Sequence, residues 1–323
     1  MTEASVSREI VLLDSVYGPM LAFEGDFATR QIRAFGAHTR NEIALLRSFV
    51  DAGDVIYDVG AHIGCFAIPL AQAAGETGRL IAVEAEGASF ALLQRNLGRH
   101  RLLGRATALL GLAGGGGRRY RPVRFPDHTS ATYFVPDDAG RTLPTIDLDD
   151  LRARHDRPVA LIKIDVEGME LGVLQSAAGT IARERPILYI EVAVEHLARG
   201  GASPDDVEAF LRRHAYRFFR NTGERNSTHD RFVLTELGSL RDGGAFFDVL
   251  AIPAGHVRLA RALPPVPHPA IASFAECHAL EPVNVHFVTG DDHAWEAEVD
   301  YRTRERLWAA CTPEIKSLLD LAW

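Results

Sequence analysis

Val55-Ile56-Tyr57-Asp58-Val59-Gly60-Ala61-His62-Ile63-Gly64 decides the fold of this 323-residue chain. An apolar run closes on an acid, a glycine-containing turn follows, and a helix is expected to start at Phe66. About twenty residues past Gly64, a second apolar run, Leu80-Ile81-Ala82-Val83, closes on Glu84. Strand, tight turn, helix and second strand with a terminal acid form the first unit of a doubly wound α/β sheet with a nucleoside crevice. The glycines let backbone approach a ligand, and the acid ending the second strand takes ribose hydroxyls.

Glycine spacing selects the nucleoside. A dinucleotide fingerprint runs G-x-G-x-x-G and faces a pyrophosphate with a helix N-terminus. Here the spacing is Gly60-x-x-x-Gly64, with Asp58 directly before the turn. An acid there repels a pyrophosphate and suits an ammonium group. A ligand with adenosine at one end and an amino acid at the other, S-adenosylmethionine, fits both acids. The plainer alternative is a strand-turn-helix whose acids are incidental.

Three stretches carry a family resemblance: Asp58-Val59-Gly60-Ala61-His62-Ile63-Gly64; Val83-Glu84-Ala85 with Leu93 and Asn96 downstream; and Ile162-Lys163-Ile164-Asp165-Val166-Glu167-Gly168-Met169-Glu170. From roughly Gly36 to Pro253 the chain resembles the FkbM family of S-adenosylmethionine-dependent methyltransferases. The last motif is the most specific, and the first is shared by many methyltransferases. Family members usually carry Asn where this chain has His62, and often Pro where it has Ala85 or Glu86. The resemblance implies a class I, Rossmann-like fold with a mostly parallel seven-stranded sheet. It also implies O-methylation, with hydroxyls of sugars or natural-product intermediates as acceptors.

The composition, 47% hydrophobic and 24% charged, is that of a globular chain. A net charge of −8 and a pI of about 5.9 argue against a large nucleic-acid footprint. The basic cluster Arg118-Arg119-Tyr120-Arg121 is read as a solvated loop. Cys65, Cys277 and Cys311 are odd in number and widely spaced, so neither a disulfide framework nor a metal knuckle is expected; a reducing, cytoplasmic setting is. Cys65 lies near a helix start, which favours a thiolate, although a small buried residue is the simpler reading. The stretch Met1 to Glu9 has no apolar core of a signal peptide, and no apolar run is long enough to span a membrane.

Three parts are expected: a β-rich N-terminal segment over residues 1–40, a cofactor-binding domain over 41–255, and a Pro-rich linker with a helical C-terminal appendage over 256–323. The core alternates strand and helix, as parallel βαβ units require. Ser203-Pro204-Asp205-Asp206 marks a helix start by its N-cap serine, first-position proline and early acids. Tyr216–Arg220 and Phe246–Ile252 are expected as an antiparallel pair at one side of the sheet. Gly114-Gly115-Gly116-Gly117 lacks the Lys-Ser/Thr of a phosphate loop and is taken as a flexible connection. The aperiodic stretch 118–146, with His128, Thr129, Ser130 and Tyr133, is either a lid or a surface loop. Trp295, Trp308 and Trp323 in the tail suggest docking on the domain or a homodimer contact.

Ligands of open α/β sheets sit outside the carboxyl ends of the strands, where this chain places Asp58, Glu84, Asp165 and Glu191. Asp58 and the backbone of Gly60, Ala61, His62, Ile63 and Gly64 are assigned to the methionine part of the cofactor. Glu84 takes the ribose, Ala85 lines the adenine, and Leu112 and Ala113 flank its other side. Asp165 is the first candidate for the base that removes the acceptor's proton, with Glu167, Glu191 and His196 as further candidates. Capping of the following helix competes with catalysis for Glu167 and Glu170. Mg2+ held by Asp165 and Glu167 is the less favoured version, because no compact ligand cluster is visible in the sequence. Methylation of nitrogen, of a protein or of a glycan, a nicotinamide oxidoreductase and a non-catalytic partner subunit remain as rivals.

Overall fold

The computed structural model describes residues 9–114, 119–125, 127–137 and 143–262. It begins with an antiparallel hairpin, β1 (Ile10–Ser15) and β2 (Gly18–Phe23), turned at Gly18. Helices α1 (Phe27–Phe35) and α2 (Arg40–Ser48) follow. The leading segment is therefore only half β. Asp26 accepts a hydrogen bond from Ala28 N and so caps α1, while left-handed Gly36 ends it.

The nucleotide-type units come next: β3 (Val55–Val59), α3 (Ala67–Ala73), β4 (Arg79–Glu84), α4 (Gly87–Arg99) and β5 (Ala106–Leu110). The chain then leaves the main sheet. β6 (Leu112–Ala113) pairs with β9 (Thr145–Ile146), and between them β7 (Tyr120–Val123) and β8 (Tyr133–Pro136) form a hairpin. After α5 (Leu148–Arg152) come β10 (Val159–Ile164), α6 (Glu170–Ser176), α7 (Ala178–Glu184), β11 (Ile187–Ala193), α8 (Val194–Arg199) and α9 (Pro204–Arg213). A break at Ala177 separates α6 from α7. Helix α9 starts where Ser203 and Asp206 close a capping box. β12 (Tyr216–Asn221), β13 (Leu234–Leu237) and β14 (Phe246–Pro253) complete the chain's strands among the described residues.

The main sheet has the order β13-β12-β14-β11-β10-β3-β4-β5. The five strands β5, β4, β3, β10 and β11 are parallel; β14 runs antiparallel to β11, and β12 pairs antiparallel with β14. β13 is an eighth strand added outside β12. β12 and β14 form the antiparallel pair expected at one side of the sheet. Alternate residues feed two cores. One face, with Ile56 and Leu161, packs on α1 to α4 and the hairpin; the other, with Tyr57, Ile162 and Ile164, packs on α5, α6, α7 and α9. Every side chain of β3 and β11 is buried, as expected of strands covered on both faces.

The order in which the chain lays down its strands reverses between the parallel neighbours β3 and β10, so a crevice opens at their carboxyl ends. Among the described residues no helix is long and apolar enough to cross a membrane. The Pro-rich linker from Leu263, the tail helices, the three tryptophans, Cys277, Cys311 and any homodimer contact through the tail lie outside the described residues, as do Met1 to Arg8 and Gly115 to Arg118.

Candidate active site

A cleft with about 760 Å3 of empty space, counting the solvent at its mouth, opens at this reversal. Sheet order arranges its wall. Gly111, Leu112 and Ala113 follow β5, and Glu84 and Ala85 end β4. Gly60, Ala61 and His62 follow β3, and Asp165, Val166 and Glu167 follow β10. Thr129, Ser130, Thr132 and Phe134 from the excursion and His38 from the α1–α2 connection close it on the other side.

Glu84 is locked into the wall. Its Oε2 accepts the His62 N–H at 2.7 Å and its Oε1 the Glu86 N–H at 2.7 Å. Burial nonetheless pushes its pKa up to about 7. A carboxylate has about four lone-pair directions, so two remain for a ligand's hydroxyls. Glu86 is the N-cap of α4 and accepts from Ala88 N and Ser89 N. Asn96, on the same helix, accepts from Leu21 N at 2.7 Å and donates to Ile63 O at 2.9 Å. It thereby fastens the N-terminal hairpin to the glycine turn.

The two turns of the crevice are pressed together. Asp165 N donates to Val59 O at 3.0 Å, and a Cβ on Gly60, whose φ is 80°, would fall 1.7 Å from Asp165 O. His62 takes the left-handed conformation at φ 50°. Its Nε2 lies 2.7 Å from Thr129 Oγ1, and Thr129 N donates to Asp26 Oδ2 at 2.7 Å. Burial lowers the His62 pKa to about 4 and keeps the ring neutral near pH 7. The excursion is thus tied down onto the cofactor turn. Of its expected candidates Thr129 and Ser130 line the cleft, whereas His128 packs on Phe27 and Tyr133 lies under the Arg199 guanidinium at 3.8 Å.

Asp58, Ile63 and Gly64 do not line the cleft. Ile63 is core, and Gly64 faces Leu93 and Ile68. Asp58 is fully buried on β3 directly beside Lys163 of β10, whose Nζ is 3.3 Å from Asp58 Oδ1, 3.3 Å from Asp165 Oδ2 and 3.2 Å from Gly60 O. Burial raises the Asp58 pKa against the pull of Lys163. Against its own burial, Lys163 is held above its usual value by Asp165 and Asp58. Asp58 therefore acts on the cleft through this ammonium. The sequence carried a signal for Lys163, a lone charge inside an apolar strand, which burial tolerates only when paired.

Glu191 and His196 stand behind the Asp165 end rather than on the cleft wall. Glu167, at φ 57°, points its carboxylate to His196 Nδ1 at 2.8 Å, and Glu191 Oε2 lies 3.3 Å from the same nitrogen. The turn reaches α8 because Gly168 has no side chain: a Cβ there would meet His196 O at 2.3 Å. Hydrogen bonds donated to Glu167 and Glu191 push the His196 pKa up to about 10. Burial, then Asp165, push Glu191 well above the carboxylate range. Glu191 sits opposite Asp248 in the β11–β14 ladder, and Arg225 is 3.0 Å from Asp248. Glu170 holds the turn, its Oε1 accepting from Val166 N at 3.2 Å and Gly168 N at 3.0 Å. One donor atom each from Glu167, Glu191 and His196 lies within 4.8 Å of the others, a ligand set assembled from two segments, the β10–α6 turn and the β11–α8 junction, that could take a divalent cation. Cys65 is buried, and its thiol is pushed up to about 12, so it is no thiolate.

Residues 58–218 match the family described as "Methyltransferase FkbM domain". No curated protein matches the chain. Solved structures similar to it include the methyltransferase FkbM from Methylobacillus flagellatus KT, 23% identical over 58% of this chain and 44% of that one, with a TM-score of 0.38. M. jannaschii TYW2 in complex with AdoMet is 10% identical over 76% of this chain and 84% of that one, with a TM-score of 0.41. Precorrin-6y C5,15-methyltransferase from Geobacter metallireducens GS-15 is 14% identical over 66% and 86% of the two chains, with a TM-score of 0.38.

Proposed function

The chain carries a methyltransferase domain of the FkbM family over residues 58–218, and from that premise we propose that it methylates a hydroxyl of a small polar metabolite, a sugar or natural-product intermediate, with S-adenosylmethionine as donor. The observation that carries the reading is a single cleft with Glu84 toward one end and Asp165 toward the other. Glu84 keeps lone pairs for ribose hydroxyls, and Ala85, Leu112 and Ala113 supply an apolar slot for the base. The Gly60–His62 backbone and the Lys163–Asp58 pair meet the amino-acid portion. S-adenosylmethionine supplies an electrophilic methyl on a sulfonium.

Transfer requires the acceptor oxygen in line with the carbon–sulfur bond and a group that removes its proton. Asp165 stands on the wall at that end, aimed by Lys163 at 3.3 Å and by the interlocked turns. It receives the hydroxyl proton as the oxygen–methyl bond forms and the carbon–sulfur bond breaks. His196 and Glu191 steady Glu167 behind it. An amine acceptor is the second reading, favoured by the several carboxylates gathered at this end.

Calorimetry with S-adenosylhomocysteine on wild type and Asp165→Asn, followed by a labelled-donor screen of hydroxyl and amine acceptors, tests the reading. Both proteins should bind the product with similar Kd, and the variant should turn over ~100- to 10,000-fold more slowly. No binding by the wild type would end the cofactor assignment. Unchanged turnover would remove Asp165 as the base, and amine-only turnover would replace oxygen by nitrogen.

A further inference from the structure

Three side chains of metal-ligand type converge behind the Asp165 end of the cleft. His196 Nδ1 is 2.8 Å from Glu167 Oε2 and 3.3 Å from Glu191 Oε2. Ligand atoms bonded to one ion at about 2.1 Å stand about 3 Å apart along an octahedral edge. The observed spacings fall on either side of that value. Both carboxylates are shielded, at 11% and 8% side-chain exposure, and Glu167 also lines the cleft.

The backbone fixes the three atoms relative to one another. The β10–α6 turn and α8 meet through two glycines: a Cβ on Gly168 would lie 2.3 Å from His196 O, and one on Gly200 1.9 Å from Gly168 O. Glu170 pins the turn by accepting from Val166 N and Gly168 N. Glu191 is held on β11, between β10 and β14.

Charge at this end is out of balance. Ion pairs and strand register link five carboxylates, Asp58, Asp165, Glu167, Glu191 and Asp248, to three cations, Lys163, His196 and Arg225. With every group ionised, this linked set keeps two negative charges too many. Shielded charge must be paired or neutralised. One divalent cation supplies the missing two charges; protonated carboxyls are the other way to remove the excess.

We propose that Glu167, Glu191 and His196 are the protein ligands of a divalent cation on the shoulder of the cleft. Two carboxylates suit Mg2+ or Mn2+, and the imidazole tips the set toward Mn2+. On binding, the ion takes the place of a proton on His196 Nδ1, which passes to solvent. The ligand pair expected from the sequence, Asp165 with Glu167, gives way to this one because Lys163 occupies the Asp165 carboxylate at 3.3 Å. In the proposed function the ion fixes the turn that carries Asp165, but the site itself does not depend on that reading.

Tag-free protein stripped with EDTA and titrated with Mn2+, followed by electron paramagnetic resonance, tests the site without cofactor or acceptor. A single Mn2+ should bind each chain with a Kd below about 100 μM, and the bound ion should show hyperfine coupling to an imidazole nitrogen. Glu167→Gln and Glu191→Gln should each weaken binding at least about tenfold. Glu195→Gln, at an exposed position beside the cluster, should bind as the wild type does. Urea midpoints of the metal-free chains identify a variant that fails to fold, and the nitrogen coupling of the wild type stands without any variant. No binding at about 1 mM Mn2+, a bound ion without nitrogen coupling, or equal losses in all three variants would overturn the proposal. S-adenosylhomocysteine calorimetry is a separate measurement, so failure of the cofactor reading and failure of the cation site are told apart.

Discussion

The two ends of the cleft are built in opposite ways. At the Glu84 end, one carboxylate is held by backbone N–H groups from residues two and twenty-two positions away. At the Asp165 end, charge is held by charge: Lys163 between Asp58 and Asp165, His196 between Glu167 and Glu191, and Arg225 on Asp248. Backbone donors are fixed wherever the fold is fixed, so the first end is rigid and local in sequence. Side-chain ion pairs depend on partners brought together from distant segments and respond to pH. An end that grips an invariant nucleoside gains from the first construction. An end that, in the proposed function, accepts a hydroxyl and moves its proton needs the second.

The ends meet at Gly60, which offers the sharpest way to break the comparison. Alanine there places a methyl on Asp165 O and strains a φ of 80°. Gly60→Ala should therefore cost roughly 3–5 kcal/mol of stability and remove S-adenosylhomocysteine binding together. Urea unfolding and calorimetry would show it. A variant that keeps its stability and loses only binding would mean that the two turns yield independently. The next largest effect is expected at the backbone-held end. Glu84→Ala strips the acceptor from His62 N and Glu86 N and removes the ribose contact, which should weaken S-adenosylhomocysteine by about 2 kcal/mol, roughly thirtyfold in Kd. A Kd within twofold of wild type would show that Glu84 serves the turn and not the ligand.

The same contrast explains what could be read from the residues. β3, the glycine turn, β4 and Glu84 are contiguous, and their period and spacing describe the fold and one end of the cleft directly. Helix α9 was legible for the same reason, since Ser203, Pro204 and Asp206 act on one another within a single turn. Asp58 misled because an acid before a glycine turn looks ligand-facing, whereas strand alternation points it inward to Lys163. The cluster of Glu167, Glu191 and His196 was invisible as a cluster, because Gly168 lets two turns touch that sequence distance keeps apart. α1 has a clear helical apolar period that the reading of residues 1–40 as β-rich passed over. His38 had no signal at all: its place depends on how the α1–α2 connection crosses the sheet end.

The ion-paired end makes a prediction the backbone-held end does not. Hydrogen bonds that His196 donates to Glu167 and Glu191 raise its pKa in the folded protein to about 10, against about 6.5 for an unfolded histidine. A group raised in the folded state contributes its full stability below the unfolded pKa and loses it as pH climbs through the folded one. His196→Gln keeps a donor but no charge. The variant should therefore be less stable than wild type by about 1–3 kcal/mol at pH 6, and the gap should narrow steadily toward pH 10. Urea midpoints of both proteins at pH 6, 8 and 10 measure that gap, and background titrations shared by the two chains largely cancel in the difference. A gap that stays constant across the range would mean that His196 is a packing residue, its ring neutral between two carboxyls of which one carries the proton. The charged construction assigned to this end would then reduce to Lys163 and Arg225.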